Sequence, residues 1–76
     1  MNKDKIEVVA VKATEGDGFE YVVCDDISVE FAVEAFGEEV RPLWEAYIDT
    51  NEKLRTFIAD KCDEVGFSEE AENIRI

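Results

Sequence analysis

Twenty Asp and Glu side chains, no His and two Cys far apart in the chain are what this sequence offers to chemistry. Without an imidazole there is no Ser-His-Asp or Cys-His arrangement, and the commonest general base at neutral pH is missing. Cys24 and Cys62 sit among apolar neighbours with no CxxC spacing. Each reads as a buried free thiol and not as a nucleophile, because nothing beside it would stabilise a thiolate; one disulfide between them is the alternative. Two distant Cys cannot supply the four ligands of a tetrahedral zinc. Asp25-Asp26 lacks the spacing of a calcium loop. Gly16-Asp17-Gly18 lacks the Gly-Lys-Ser/Thr ending and the strand-to-helix setting of a phosphate loop. A carboxylate pair for glycoside hydrolysis needs a sugar-sized cleft, which a chain this short rarely frames. The expectation is a protein that is not an enzyme and uses neither cofactor nor metal.

The acids are then to be explained as charge. They face eight Lys and Arg, for a formal net charge of −12 and a pI near 4.1. Self-repulsion on this scale works against the compact state. Its sign argues against direct binding of nucleic acid or of an anionic membrane surface. It favours a basic protein surface, of the kind that holds DNA or RNA. The plainer alternative is that the acids serve solubility alone. Disorder is not an option, since 46% of the residues are hydrophobic and five Phe, two Tyr and a Trp are among them. The 76 residues make a single domain, 1–76. No apolar run approaches the roughly 20 residues of a membrane span and no leader pattern opens the chain, so a cytoplasmic protein is expected, as a monomer or small homo-oligomer.

The elements that must position these charges read as follows. Ile6–Ala13, rich in β-branched residues, predicts a strand; Thr14–Gly18 a turn; Phe19–Cys24 a second strand closing a hairpin. Ser28 is a fitting N-cap and Gly37 a fitting C-terminal stop for a helix over 29–36. Pro42 opens a second, longer helix with Leu43, Tyr47, Leu54, Ile58 and Val65 on one stripe and Trp44, Phe57 and Cys62 beside it. Gly66 ends that helix and Phe67 folds back over it. Glu72–Ile76 reads as a last strand. The predicted fold class is α+β, in the order β-β-α-α-β, with two helices on one face of a small antiparallel sheet against which Trp44 is buried.

The face of the long helix opposite its apolar stripe holds Glu45, Asp49, Glu52, Thr56, Asp60 and Asp63. Five of the six are acidic and none is basic, and like charges at i,i+4 and i,i+3 cost about 0.2–0.5 kcal/mol each; the row reads either as a plain solvated face or as a binding surface. On a straight helix the row would run about 27 Å, a sparse imitation of a strand of phosphates. A second cluster comprises Glu15 and Asp17 in the hairpin turn with Glu34, Glu38 and Glu39 around the end of the first helix.

Gly18-Phe19-Glu20-Tyr21, Glu34-Ala35-Phe36-Gly37 and Pro42 together resemble the pattern of a small phage-encoded anti-CRISPR family, the seventh described against type I-F systems. The likeness covers about residues 6–42. It implies an acidic protein with a few strands and two helices, acting in the cytoplasm of the host bacterial cell. Such a protein binds the basic DNA-recognition site on the Cas8 subunit of the surveillance complex and blocks target DNA. In that family acids in the hairpin turn and late in the first helix make the contact, and Glu15 and Glu34 occupy the matching positions. Val33 stands where the pattern has a second acid, with Glu38 and Glu39 as the nearest replacements. The reading is a DNA mimic; the alternative is an acidic regulatory interaction module, an antitoxin or assembly factor.

Folding that needs neither metal nor disulfide predicts that a chelator and a thiol reductant leave the urea midpoint unchanged. A loss of the cooperative transition with either reagent would overturn it.

Overall fold

Ile6, Val9, Ala10 and Ala13 recur at i, i+3, i+4 and i+7, which is also a helical stripe. In the computed structural model, which describes residues 2–15 and 18–75, that stripe prevails. The predicted first strand is helix α1, Lys3–Glu15, with Ile6, Val9 and Ala10 buried and Ala13 packed beside them. A strand would put Ile6 and Val8 on one face. Instead Val8 and Val11 are each 40% exposed. The strand preference of valine is a weak prior that packing overrides.

The second predicted strand fails for the same reason. Phe19, Val22, Val23 and Ile27 are buried, while Glu20, Tyr21 and Cys24 are exposed, a helical and not an alternating pattern. Phe19–Tyr21 forms α2, which widens into a π-helical turn over Val22–Asp26. There the Ile27 N–H donates to the Val22 carbonyl at 2.9 Å, and the extra residue keeps Val22, Val23 and Ile27 all turned inward.

Helix α3, Val29–Phe36, has the predicted bounds. The Ser28 hydroxyl accepts from the Phe31 N–H at 3.2 Å. Gly37 ends the helix at φ +99°, a conformation that only glycine adopts without strain.

The predicted long helix is two. Helix α4 is Val40–Glu45, with Pro42 in its first turn, and α5 is Tyr47–Glu64. Backbone angles leave the helical range at Ala46 (φ −105°, ψ 33°) and again at Thr50 (φ −120°, ψ 17°). The Thr50 hydroxyl lies 2.8 Å from the Leu43 carbonyl and 3.1 Å from that of Ala46, so it supplies a donor where the helical ladder is interrupted. The end of α5 is as predicted. The Phe67 N–H reaches the Cys62 carbonyl at 2.8 Å and the Gly66 N–H reaches Asp63 at 3.2 Å, the paired bonds of a Schellman cap, with Gly66 at φ +98°.

The predicted C-terminal strand over 72–76 is helical through Ile74, with Arg75 extended beyond it. Residues Ser68–Ile74 form α6, with Ala71 and Ile74 buried; Ile76 lies outside the described residues. The fold is therefore all-helical: 83% of the described residues lie in six α-helices and the π-helical turn, none in a strand, and the class is not α+β. Helix α1 packs against α2, α3, α5 and α6, and α4 bridges α3 and α5. The radius of gyration is 10.6 Å, against about 11 Å for a compact chain of this length. Trp44 is buried as expected, 4% exposed, but among helices and with no sheet beneath it.

The helical register of α1 sets two substitutions apart that a strand would make alike. Ile6→Ala should destabilise the fold by about 2–4 kcal/mol. Val8→Ala should stay within about 0.5 kcal/mol, since it removes little burial and improves helix propensity. Equal losses in urea unfolding would contradict this register.

Candidate functional site

Charge is where the sequence put its functional candidates, and the helices distribute it unevenly. The cations are largely engaged within the molecule. Lys5 pairs with Glu34 and lies over the Phe31 ring. Lys12 meets Asp26 at 2.9 Å. Arg55 stacks 4.8 Å from the Phe19 centroid and donates to the Ile74 carbonyl. Lys61 lies over Phe57 and near Glu64, and Lys3 over Phe67. Arg75 spans Asp60 and Asp63 at 2.9 Å each, clasping the end of α6 to α5.

These pairings divide the predicted acids. Glu34 is taken by Lys5, and Glu38 by Arg41, which grips it with Nε at 2.9 Å and a second nitrogen at 3.2 Å. That hydrogen bond, with the charge behind it, holds the Glu38 carboxyl below the usual carboxylate range and raises Arg41. Glu39 is exposed on the turn before α4. Glu15 is not in a hairpin turn but is the last residue of α1, ten residues beyond Lys5 and so about 15 Å along the axis from the end that meets Glu34. Asp17 lies outside the described residues. The predicted cluster of turn and first-helix acids is thus not one patch.

The rival row survives in part. Glu45, Asp49, Glu52, Thr56, Asp60 and Asp63 are all exposed. The break at Ala46 assigns Glu45 to α4, and Arg75 neutralises the Asp60 end. Among the described residues Glu45, Asp49 and Glu52 have no ion-pair partner, although Glu45 acts on Arg41 from further away. Three acids around the α4–α5 corner therefore remain open to a partner.

Beside them is a feature the sequence reading missed. A groove of about 550 Å³ separates the π-helical turn and the start of α3 from this corner. Buried Val23, Ile27 and Trp44 line it together with half-buried Val29 and Tyr47, and Glu45, Ile48 and Asp49 stand at its exposed edge. Ile48 is 85% exposed, far more than any other large apolar side chain described. The signal was present: Ile48 falls off the apolar stripe, on the acidic side of the helix. Trp44 carries a buried indole N–H with no acceptor among the described residues, which costs about 1–3 kcal/mol in a dry site.

A second groove, of about 400 Å³, gathers Glu15 with Glu69, Glu70 and Glu72 between the ends of α1 and α6. One Glu70 oxygen is buried without a partner. Among the described residues no three acids or thiols come together as a metal site, and no helix is long and apolar enough to cross a membrane.

Comparison with known protein families, with curated proteins and with solved structures gives no match. Of the strings that carry the anti-CRISPR resemblance, Gly18-Phe19-Glu20-Tyr21 opens a helix and not a hairpin strand, and Glu34-Ala35-Phe36-Gly37 closes α3. The strands that the resemblance implies are not found among the described residues.

The two thiols also part. Cys62 is buried, and desolvation, with Glu70 and Asp63 adding to it, pushes its thiol up to about 11. Cys24 is exposed on the π-helical turn at the groove, contrary to the burial expected of it. A thiol reagent near neutral pH should therefore modify Cys24 in the native protein and leave Cys62 untouched until urea is added. Equal labelling, read by mass spectrometry of the peptides, would contradict this placement.

Proposed function

We propose that this protein is a binding module that occupies a basic, nucleic-acid-binding surface of another protein, its carboxylates standing where phosphates would. The observation that carries the reading is the set Glu45, Asp49 and Glu52. These acids are exposed at one corner without ion-pair partners, in a molecule whose cations are mostly engaged elsewhere. Carboxylates left unpaired at this density raise the local negative potential, which speeds encounter with a basic site and disfavours other partners. In its most specific form the protein is an anti-CRISPR inhibitor acting on the Cas8-type subunit of a type I surveillance complex. That form rests on the sequence resemblance alone. The reading as a regulatory interaction module, an antitoxin or assembly factor, draws support from the apolar groove at the same corner.

Both forms share one testable surface. The protein should compete with duplex target DNA for a purified type I surveillance complex, and the competition should weaken steeply with added salt. The triple variant E45K/D49K/E52K should lose at least about tenfold in competition, since close charge pairs contribute a few kcal/mol. Its stability should be little changed or raised, because like charges are removed. E34K, which reverses a carboxylate already paired with Lys5, should cost less. Unaltered competition by the triple variant would overturn the assignment of the corner. A shift of duplex DNA by the protein alone would overturn the mimic reading altogether.

A further inference from the structure

The carboxylates explain attraction to a basic surface but not the groove next to them. We infer that the groove at the α4–α5 corner receives one aliphatic side chain from a basic segment of the partner, a side chain flanked there by Lys or Arg. The inference rests on the proposed binding of a basic surface and specifies how that surface is held. Three observations carry it. The floor is apolar where Val23, Ile27 and Trp44 line it, beside polar Ser28, Glu45 and Asp49, so that floor rewards a hydrocarbon and not a charged head. Its edge carries Glu45 and Asp49, which complement cations on either side of that hydrocarbon. Ile48, 85% exposed between these two acids in the sequence, contributes nothing to the core and is placed to cover an inserted side chain.

Charge complementarity decides the choice of occupant. A second copy of this chain would bring its own acids, at a net charge of −12, against the same edge. Like charges facing each other across an interface disfavour that pairing. A neutral small molecule would leave Glu45 and Asp49 without partners. A segment in which an aliphatic residue lies between arginines or lysines satisfies both the floor and the edge. The volume, about 550 Å³, is ample for one such side chain with its backbone.

The test uses two short peptides, one alternating Arg with Gly and the other identical but with its central Gly replaced by Leu. Trp44 is the single tryptophan of the chain and lines the groove, so its emission reports occupancy without a label. The Leu peptide is expected to bind about tenfold tighter than the Gly peptide, the gain that burying most of a leucine side chain provides, and to shift Trp44 emission. Ile48→Ser, a change at a side chain outside the core, should remove most of that gain while leaving the Gly peptide's affinity as it was. E45K/D49K should weaken both peptides. Equal binding of the two peptides with unchanged Trp44 emission would overturn the groove and leave the carboxylate surface standing. A leucine advantage that survives Ile48→Ser would likewise place the side chain elsewhere. Absence of binding by either peptide at low salt would overturn the carboxylate surface and the groove together.

Discussion

The packing of α1 into the other helices is the contact on which the rest of this molecule depends. Ile6, Val9 and Ala10 are almost wholly withdrawn from water, and α2, α3, α5 and α6 all touch the helix that carries them. Among the described residues the core holds no polar or charged side chain. A domain this short has little apolar surface to set against conformational entropy, so a carboxylate in that core would be hard to offset. The acids are therefore driven outward, and their mutual repulsion is opposed by the apolar closure around α1. The cations help in a way that leaves the surface acidic: several lie over the rings of Phe19, Phe31, Phe57 and Phe67, covering aromatic surface, and others tie helix ends together. Closure of the core and exposure of unpaired carboxylates follow from the same distribution of residues.

The break between α4 and α5 gathers part of that distribution at the candidate site. A continuous helix would have carried Glu45, Asp49, Glu52 and Asp60 in one row. Departure from helical angles at Ala46 and Thr50 separates the two ends, and no proline or glycine stands at either position to force it. The Thr50 hydroxyl supports the bend by reaching carbonyls on the far side of it. Trp44 is buried before the break and Ile48 is exposed after it. The π-helical turn forms the opposite wall of the resulting groove. An extra residue there keeps Val23 and Ile27 inward while Cys24 stays at the surface.

What could be read in the sequence depended on whether the signal was local. The caps of α3 were legible because Ser28 and Gly37 act within one turn of the residues they cap. The Schellman end of α5 was legible for the same reason, in Gly66 and Phe67. The class of the fold was not. Ile6–Ala13 and Phe19–Cys24 contain valine runs that satisfy a strand by composition and a helix by period, and the choice between them is made by what each face meets across the molecule. Ile6 with Val9 and Phe19 with Val22 were the better guides, because Glu7 and Glu20 would each have stood beside apolar residues on a strand face. The acidic face of α5 was identified correctly as exposed. Its neutralisation at one end by Arg75 was not visible, since that contact spans fifteen residues from Asp60 and forms only when α6 folds back. The groove was missed because its walls come from segments twenty residues apart, joined only by the tertiary fold.

This arrangement changes what imitation of nucleic acid can mean here. Phosphates along a B-form strand recur about every 3.4 Å in an unbroken row, and a protein that copies the row needs a long, straight acidic edge. The α4–α5 break and the Arg75 clasp leave three unpaired acids at one corner instead. A patch of this size can steer a basic partner and raise the association rate, but exposed charges alone hold a complex weakly once salt screens them. Residence of a complex is set mainly by contacts that must be undone for it to part, and these are desolvated ones. The apolar wall beside the carboxylates offers such a contact, and Ile48 extends it to the surface. On the proposed reading, attraction and retention fall to different side chains at one site. Such a division would let a protein of very high net charge discriminate among the many basic surfaces its carboxylates alone would attract.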